Sequence, residues 1–151
     1  MSAENRLNDL GFNLTEPNAP AANYIPVSRT GNVLFVSGQI SMDELGVVTG
    51  KLGDNLEVAD GQRAAALSAV SILNHIVFSA GVPLDEVKRV LKLTVLVASA
   101  PDFYEHHLVA NGASDLLVEV LGENGRHARA AFGVAALPLG AAVEIEAMVE
   151  V

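Results

Sequence analysis

Arg129 has the strongest case for chemistry in this sequence because of the segment that it enters. The residues that follow it, Ala130, Ala131 and Phe132, are small or apolar. A guanidinium in such a strand loses part of its hydration and needs an anion, and its planar fork suits a two-point contact with a carboxylate. That carboxylate can belong to a bound ligand or to an acidic residue in a salt bridge, and composition leaves both open.

Glu144 is the second candidate. It lies in the pattern AVEIEAMVEV, where apolar residues at Val143, Ile145, Ala147 and Val149 alternate with a second, more polar set. Such alternation is typical of a strand with one covered face. The pattern alone is equally compatible with an ordinary exposed carboxylate.

Other chemistry finds little support. The 151 residues include no cysteine, which excludes disulfides, thiolate metal sites and a cysteine nucleophile. His106 and His107 are adjacent, so on a helix they point about 100° apart and are poorly placed to share an ion. The segment Gly46–Lys51 has three residues between its glycines where a phosphate-binding loop has four. We therefore expect no metal site and no nucleotide site.

Composition indicates one folded domain, residues 1–151. Half of the residues are hydrophobic, 18% are charged, and the formal net charge is -9. The acidic balance disfavours binding to nucleic acid or to anionic lipid. The segment between Arg63 and Asp85 lacks charged residues, but serines interrupt it, which favours a buried helix over a membrane span. The N-terminal residues resemble no secretory signal, so we expect a cytoplasmic protein.

The elements that must position the two candidates follow from apolar periodicity and turn residues. Helices are predicted over 3–10, 58–80 and 101–122, the last broken at Asn111-Gly112 and restarted by Ser114. Strands are predicted over 24–29, 32–40, 89–98, 129–136 and 142–151, with a possible short strand at 47–48. This order favours an α+β fold in which two main helices cover one face of a mixed sheet. We expect Ala131 and Gly133 on the open face, as a subunit interface or a ligand wall.

Four segments in register resemble the YjgF-type Rid family. They are Asn18–Tyr24, Phe35–Gln39, Ala128–Pro138 and Val143–Glu146. The family comprises reactive intermediate deaminases, also known as L-PSP endoribonucleases or translation inhibitors. The resemblance covers residues 18–151 and leaves 1–17 as an N-terminal extension with a short helix.

The resemblance implies a chorismate-mutase-like fold assembled as a homotrimer, with ligand clefts between subunits. Active members hydrolyse enamines or imines to 2-keto acids and ammonia without metal or organic cofactor. Two other functions stay open: a non-catalytic trimer that binds a small carboxylate, and a ribonuclease or translation inhibitor, which the net charge of -9 disfavours.

Site residues transfer by position in the matching motifs. Arg129 would hold the substrate carboxylate and Glu144 would position the attacking water. Tyr24 would wall the cleft, while the backbone of Gly38 and Ala131 would contact the substrate.

Further site residues are expected beside these. Ser37 lines the same strand as Gly38, and Arg126 and His127 could recognise a second substrate group or protonate the departing nitrogen. Many deaminating members have cysteine at the position of Ala131. The segment 103–125 is longer than in short members, so the cleft could be reshaped.

A geometric constraint accompanies these roles. If residues 137–140 join the last two strands as a hairpin, Glu144 pairs with Gly133, on the same face as Arg129 but roughly 13 Å away along the sheet. A small acid cannot bridge that gap in one flat chain. We expect either that neighbouring subunits complete each site or that a bulge shortens the distance.

Overall fold

The computed structural model describes residues 1–151, and its frame is a five-stranded mixed sheet. The strands of the main sheet lie in the order β1-β2-β7-β5-β6. Their bounds are β1 Val27–Thr30, β2 Val33–Ile40, β5 Arg89–Ala98, β6 Ala128–Val134 and β7 Val143–Glu150. A separate small hairpin consists of β3 Met42–Asp43 and β4 Gly46–Val47.

The helices are α1 Ala3–Asp9, α2 Val58–Asn74 and α3 His106–Leu121. Both long helices contribute to one core with the aliphatic face of the sheet, as predicted. The alternation in β7 is confirmed, because Val143, Ile145 and Val149 are fully buried. The α+β fold with two main helices on one sheet face is therefore present. No helix of the structure has both the length and the apolar content needed to cross a membrane.

Helix α3 differs from the prediction in two ways. It begins at His106 rather than near Pro101, and it continues through Gly112 without a break. A Cβ at Gly112 would collide with the backbone of Gln62 in α2. The glycine therefore permits close contact between the two long helices and does not end one of them.

Helix α2 is shorter than predicted as a regular α-helix. It ends at Asn74, and the chain continues as a π-helix over His75–Ser79. The His75 Nδ1 atom lies 2.8 Å from the hydroxyl of Ser79. Burial lowers the pKa of His75, which is consistent with its role as a neutral residue of the polar stripe.

The connection between β6 and β7 is not a hairpin, contrary to the prediction. Strand β5 lies between them, pairing parallel with β6 and antiparallel with β7. A 3₁₀ turn at Pro138–Gly140 lies in the crossing segment. The predicted pairing of Glu144 with Gly133 is therefore wrong, because both residues pair with β5 and not with each other.

The β1–β2 hairpin is present, with Thr30 paired to Val33 across a tight turn. Strand β1 covers β2 only from Val33 to Val36, and the pairing of β2 with β7 shifts register between Val36 and Gln39. The Ser37 N–H still donates to the carbonyl oxygen of Pro26 at 2.9 Å, and beyond Ser37 no strand pairs with the outer edge of β2. The segment 11–24, called here the N-terminal arm, contains no helix or strand and lies beside this edge.

Candidate functional site

Arg129 lies at the start of β6, where three groups of α3 hold its guanidinium. Nη1 donates to Asn111 Oδ1 at 2.9 Å and to Ser114 Oγ at 3.1 Å. Nη2 donates to the carbonyl oxygen of His107 at 3.2 Å. None of these partners is a carboxylate, so the positive charge is oriented without being neutralised. A side chain held in this way can still bind an anion from solvent.

His127 completes the support of Arg129. Its Nδ1 lies 2.6 Å from the Gly125 carbonyl oxygen, which can only accept, so Nδ1 carries the proton. In the neutral ring, Nε2 then accepts from the hydroxyl of Ser114 at 2.9 Å. The serine oxygen is thereby turned towards Arg129. Burial lowers the pKa of His127, and the charge of Arg129 acts in the same direction, although the Gly125 carbonyl opposes them.

Two further predicted site residues, Ala131 and Arg126, are close to Arg129 in the sequence but differ in burial and contacts. Ala131 is partly buried against the core on the same side of β6. Arg126 is exposed and forms an ion pair with Glu123 at 3.6 Å, outside the hydrogen-bond network of Arg129.

At the far end of β6 lies a pair that sequence reasoning missed. Ser99 Oγ and His106 Nε2 are 3.0 Å apart, and both residues are half-buried. A Cβ at Gly133 would collide with both polar atoms, so the pair lies directly on the strand backbone. The ring of Phe103 meets the imidazole edge-on, with centroids 5.2 Å apart.

Glu144 of β7 projects from the face of the sheet opposite to that of Arg129. It lines a cavity of about 670 Å³. The cavity is lined by residues of the N-terminal arm, β2, α2 and β7, including the predicted residues Tyr24, Gly38 and Glu144. Tyr24 is 59% exposed, which suits a wall residue. Any side chain at Gly38 would collide with the carboxylate of Glu144. The glycine thus leaves room for the acid over the backbone of β2.

Burial raises the pKa of Glu144, and the nearby charge of Glu146 raises it further. A carboxylate with a raised pKa is a better proton acceptor than an ordinary surface glutamate. Ser37 lies in β2 beside Gly38, but its hydroxyl donates to the carbonyl oxygen of Ile25 at 2.9 Å. That bond fastens the segment before β1 to β2.

Arg129 and Glu144 do not meet within one chain. Arg129 pairs with Leu93 of β5, whereas Glu144 pairs with Leu96. Because Leu93 and Leu96 are an odd number of residues apart, their partners project from opposite faces of the sheet. The expectation that Ala131, Gly133 and Arg129 share the open face with the acids is therefore wrong, and all three lie on the helix-covered side. The register shifts of the sheet lie between β2 and β7 and near the start of β5, so no bulge brings Arg129 to Glu144.

The open face of the sheet carries large apolar side chains. Phe35, Phe132 and Met148 are 41%, 45% and 38% exposed. Phe132 and Glu144 both pair with Leu96 of β5, so their side chains lie on the same face of the sheet. Met148 is four residues from Glu144 along β7 and pairs with Phe35, which places these two side chains on that face as well. An apolar sheet face without a covering layer is typical of a surface that binds another protein.

Comparison with known proteins identifies the family. The profile described as Endoribonuclease L-PSP matches residues 15–151. The chain belongs to the endoribonuclease L-PSP family. This confirms the resemblance to YjgF-type Rid proteins that the four sequence segments indicated.

Relatives in the L-PSP family carry different names. Protein TCP17 of Trypanosoma cruzi is 49% identical over 146 residues, covering 95% of this chain and 91% of its own. The 2-iminobutanoate/2-iminopropanoate deaminase of Rattus norvegicus is 34% identical over 132 residues, covering 86% and 82%.

Solved structures agree with the fold. A protein of unknown function from Agrobacterium tumefaciens has a TM-score of 0.90 and 51% identity, covering 99% of this chain and 92% of its own. Escherichia coli TdcF with bound serine has a TM-score of 0.61 and 25% identity, covering 88% and 91%. In this L-PSP chain no three His, Asp or Glu residues are grouped so that they could hold a metal ion.

Proposed function

We propose that this protein hydrolyses 2-imino acids, or the enamines in equilibrium with them, to 2-keto acids and ammonia. The observation that carries the proposal is the oriented and uncompensated guanidinium of Arg129, a ready site for a small carboxylate. Family members named 2-iminobutanoate/2-iminopropanoate deaminases, at 33–34% identity, support the reaction class.

The proposal includes assembly as a homotrimer of chorismate-mutase-like chains. Arg129 and Glu144 project from opposite faces of the sheet, so a site that uses both must take them from different subunits. The apolar open face supplies a surface for that assembly. In the proposed cleft, Arg129 and Ala131 of one subunit face Glu144, Gly38 and Tyr24 of its neighbour.

The chemistry requires few groups. Protonation of an enamine at carbon gives an imine, and water then adds to the imine carbon. The resulting carbinolamine expels ammonia as its hydroxyl becomes the keto group. Arg129 fixes the substrate by its carboxylate, and Glu144 of the neighbouring subunit orients the attacking water. No metal or organic cofactor enters the scheme.

The first experiment measures ammonia and 2-keto acid release from several enzymatically generated 2-imino acids. We expect the wild-type protein to accelerate release, with Arg129→Ala and Glu144→Gln each reducing kcat/KM by at least about 100-fold. A wild-type protein that matches the buffer control for every imino acid overturns the proposal. If that protein still binds 2-keto acids through Arg129, the function is that of a small-carboxylate-binding protein.

Mixed trimers test the shared site directly. The variants Arg129→Ala and Glu144→Gln are co-expressed in equal amounts with different affinity tags. In a cyclic trimer, each mixed assembly contains one interface with both residues intact, so random mixing restores about a quarter of wild-type sites. A mixture as inactive as its components would show that the two residues do not act across an interface.

A further inference from the structure

The Ser99–His106 pair lies on the same side of β6 as Arg129. Arg129 pairs with Leu93 of β5 and Gly133 with Val97, which is four residues further along the strand. The even spacing places the guanidinium and the volume above Gly133 on one face. Ala131 lies between them, so the surface that connects the two ends is made of the smallest side chains.

Helix α3 contacts both groups. Arg129 Nη2 donates to the carbonyl oxygen of His107, the residue that follows His106. The guanidinium is therefore drawn towards the first turn of the helix, where the imidazole begins. In a 2-imino acid whose carboxylate binds Arg129, the adjacent imine carbon would lie over the surface between Arg129 and His106.

The contacts of His106 restrict the ring without enclosing it. Ser99, which directly follows β5, Phe103 from the loop before α3 and the backbone of Gly133 surround it. Of the titratable residues, Glu105 and His107 flank it along the chain. Burial lowers the pKa of His106, with a smaller effect of the same sign from His107. The ring is thus neutral near pH 7 and able to accept a proton.

We propose that His106, oriented by Ser99, carries the proton between the attacking water and the departing nitrogen. This inference rests on the proposed function, with Arg129 as the carboxylate site. The step starts from the protonated imine: the water oxygen bonds to its carbon, the C=N electron pair moves to nitrogen, and the imidazole takes one proton of the water. The imidazolium then returns that proton to the amine nitrogen as the C–N bond breaks, and the hydroxyl group gives its own proton to Glu144 of the neighbouring subunit as the keto group forms. Atoms balance as imine plus water giving keto acid plus ammonia, and Glu144 of the neighbouring subunit orients the water.

A purely structural function for the pair is the alternative, since the hydrogen bond also fastens α3 to the end of β5. The variant His106→Gln separates the two because glutamine can hydrogen-bond to Ser99 but does not titrate. Asp102→Asn removes a nearby exposed carboxylate outside the site and serves as the control. Each variant is tested for turnover, for its pH profile, for binding of 2-oxobutanoate as a probe, and for Tm.

We expect His106→Gln to reduce kcat by about 100-fold or more, with the Kd for 2-oxobutanoate changed less than twofold. The fall of kcat/KM at acid pH that accompanies protonation of the imidazole should disappear. Ser99→Ala should reduce kcat by about tenfold and keep a displaced acid limb. Asp102→Asn should match the wild type.

Two results overturn the inference and one overturns its basis. If Arg129→Ala is inactive but His106→Gln keeps wild-type turnover, or keeps the same acid limb, His106 does not carry the proton. If His106→Gln loses binding of 2-oxobutanoate and stability together with turnover, the pair is structural. If the wild-type protein shows no turnover, the proposed function fails, and this inference fails with it.

Discussion

The β6 edge of the sheet and the region in which β2 lies beside β7, called here the β2 edge, carry opposite halves of the proposed chemistry. The β6 edge presents a cation held by neutral groups, together with imidazoles whose pKa values are lowered by burial. The β2 edge presents a carboxylate whose pKa is raised by burial and by a second acid. Each edge therefore keeps its charged group in a reactive state, and neither contains the partner that would neutralise it.

In the proposed shared site, this difference leaves each subunit with only half of the groups that the reaction needs. Were Arg129 and Glu144 on one face and within reach, they would form a salt bridge and occupy each other. Placing them on opposite faces leaves both free for a ligand that enters between subunits. The comparison predicts that changes at the β6 edge alter carboxylate binding, while changes at the β2 edge alter turnover.

The largest effect should come from removing the surface on which both edges depend. Phe132→Asp places a charge on the exposed apolar face and should separate the subunits. We expect light scattering to give the 15.7 kDa mass of one chain and turnover to fall to the buffer rate. Leu45→Asp is the control, because Leu45 is 92% exposed and lies outside this face. A monomeric Phe132→Asp protein with full turnover would contradict the shared site.

A change at the β2 edge should affect turnover alone. Gly38→Ala introduces a Cβ that meets the flexible end of Glu144, so the carboxylate must move while the fold is retained. A displacement of about 1 Å in a catalytic group can cost about 100-fold in rate, and we expect that loss in kcat. The Kd for 2-oxobutanoate should stay within twofold, as measured by calorimetry. Equal losses in binding and turnover would remove the distinction between the edges.

A change at the β6 edge should affect binding. Ser114→Ala removes one acceptor of Arg129 and the partner of His127. A lost hydrogen bond to a charged group corresponds to about 1.5 kcal/mol, so 2-oxobutanoate should bind about tenfold more weakly. Ser68→Ala on α2 is the control, since that serine hydroxyl has no hydrogen-bond partner. Unchanged binding in Ser114→Ala would show that Asn111 and the His107 carbonyl suffice.

The smallest effect concerns stability. Because the folded-state pKa of Glu144 is raised, its contribution to stability decreases as pH rises above the usual value of 4.5. Glu144→Gln should therefore be more stable than wild type at pH 7, with the difference vanishing at pH 4. Solvent screening at this half-buried position limits the gain to about 1 kcal/mol, or roughly 4 °C in Tm. Calorimetric scans at both pH values test this, and a less stable variant at pH 7 would contradict it.

Local patterns predicted much of the fold because local forces determine those parts. The β7 alternation, the β1–β2 turn and the start of α2 at Val58 follow from neighbouring residues. The continuity of α3 through Gly112 could not be predicted from neighbouring residues. Asn111-Gly112 is a turn signal in sequence, but the approach of Gln62 from another helix gives that glycine its function.

The residues of the candidate site could be named from sequence motifs, but their arrangement could not be predicted. Arg129, Glu144, Tyr24 and Gly38 lie in motifs, but strand order is a long-range property that spacing does not encode. The insertion of β5 between β6 and β7 reversed the inferred face of Arg129. The Ser99–His106 contact had no sequence signal beyond the presence of the two residue types.

Strand β7 also bears on biosynthesis. It lies at the centre of the sheet order, between β2 and β5, yet it follows every other sheet strand along the chain. Until the ribosome has released Val143–Glu150, the β1–β2 ribbon and the β5–β6 pair have no strand to join them. Nascent chains therefore expose two unpaired strand edges until β7 has emerged, and they stay open to aggregation or chaperone capture until that strand inserts.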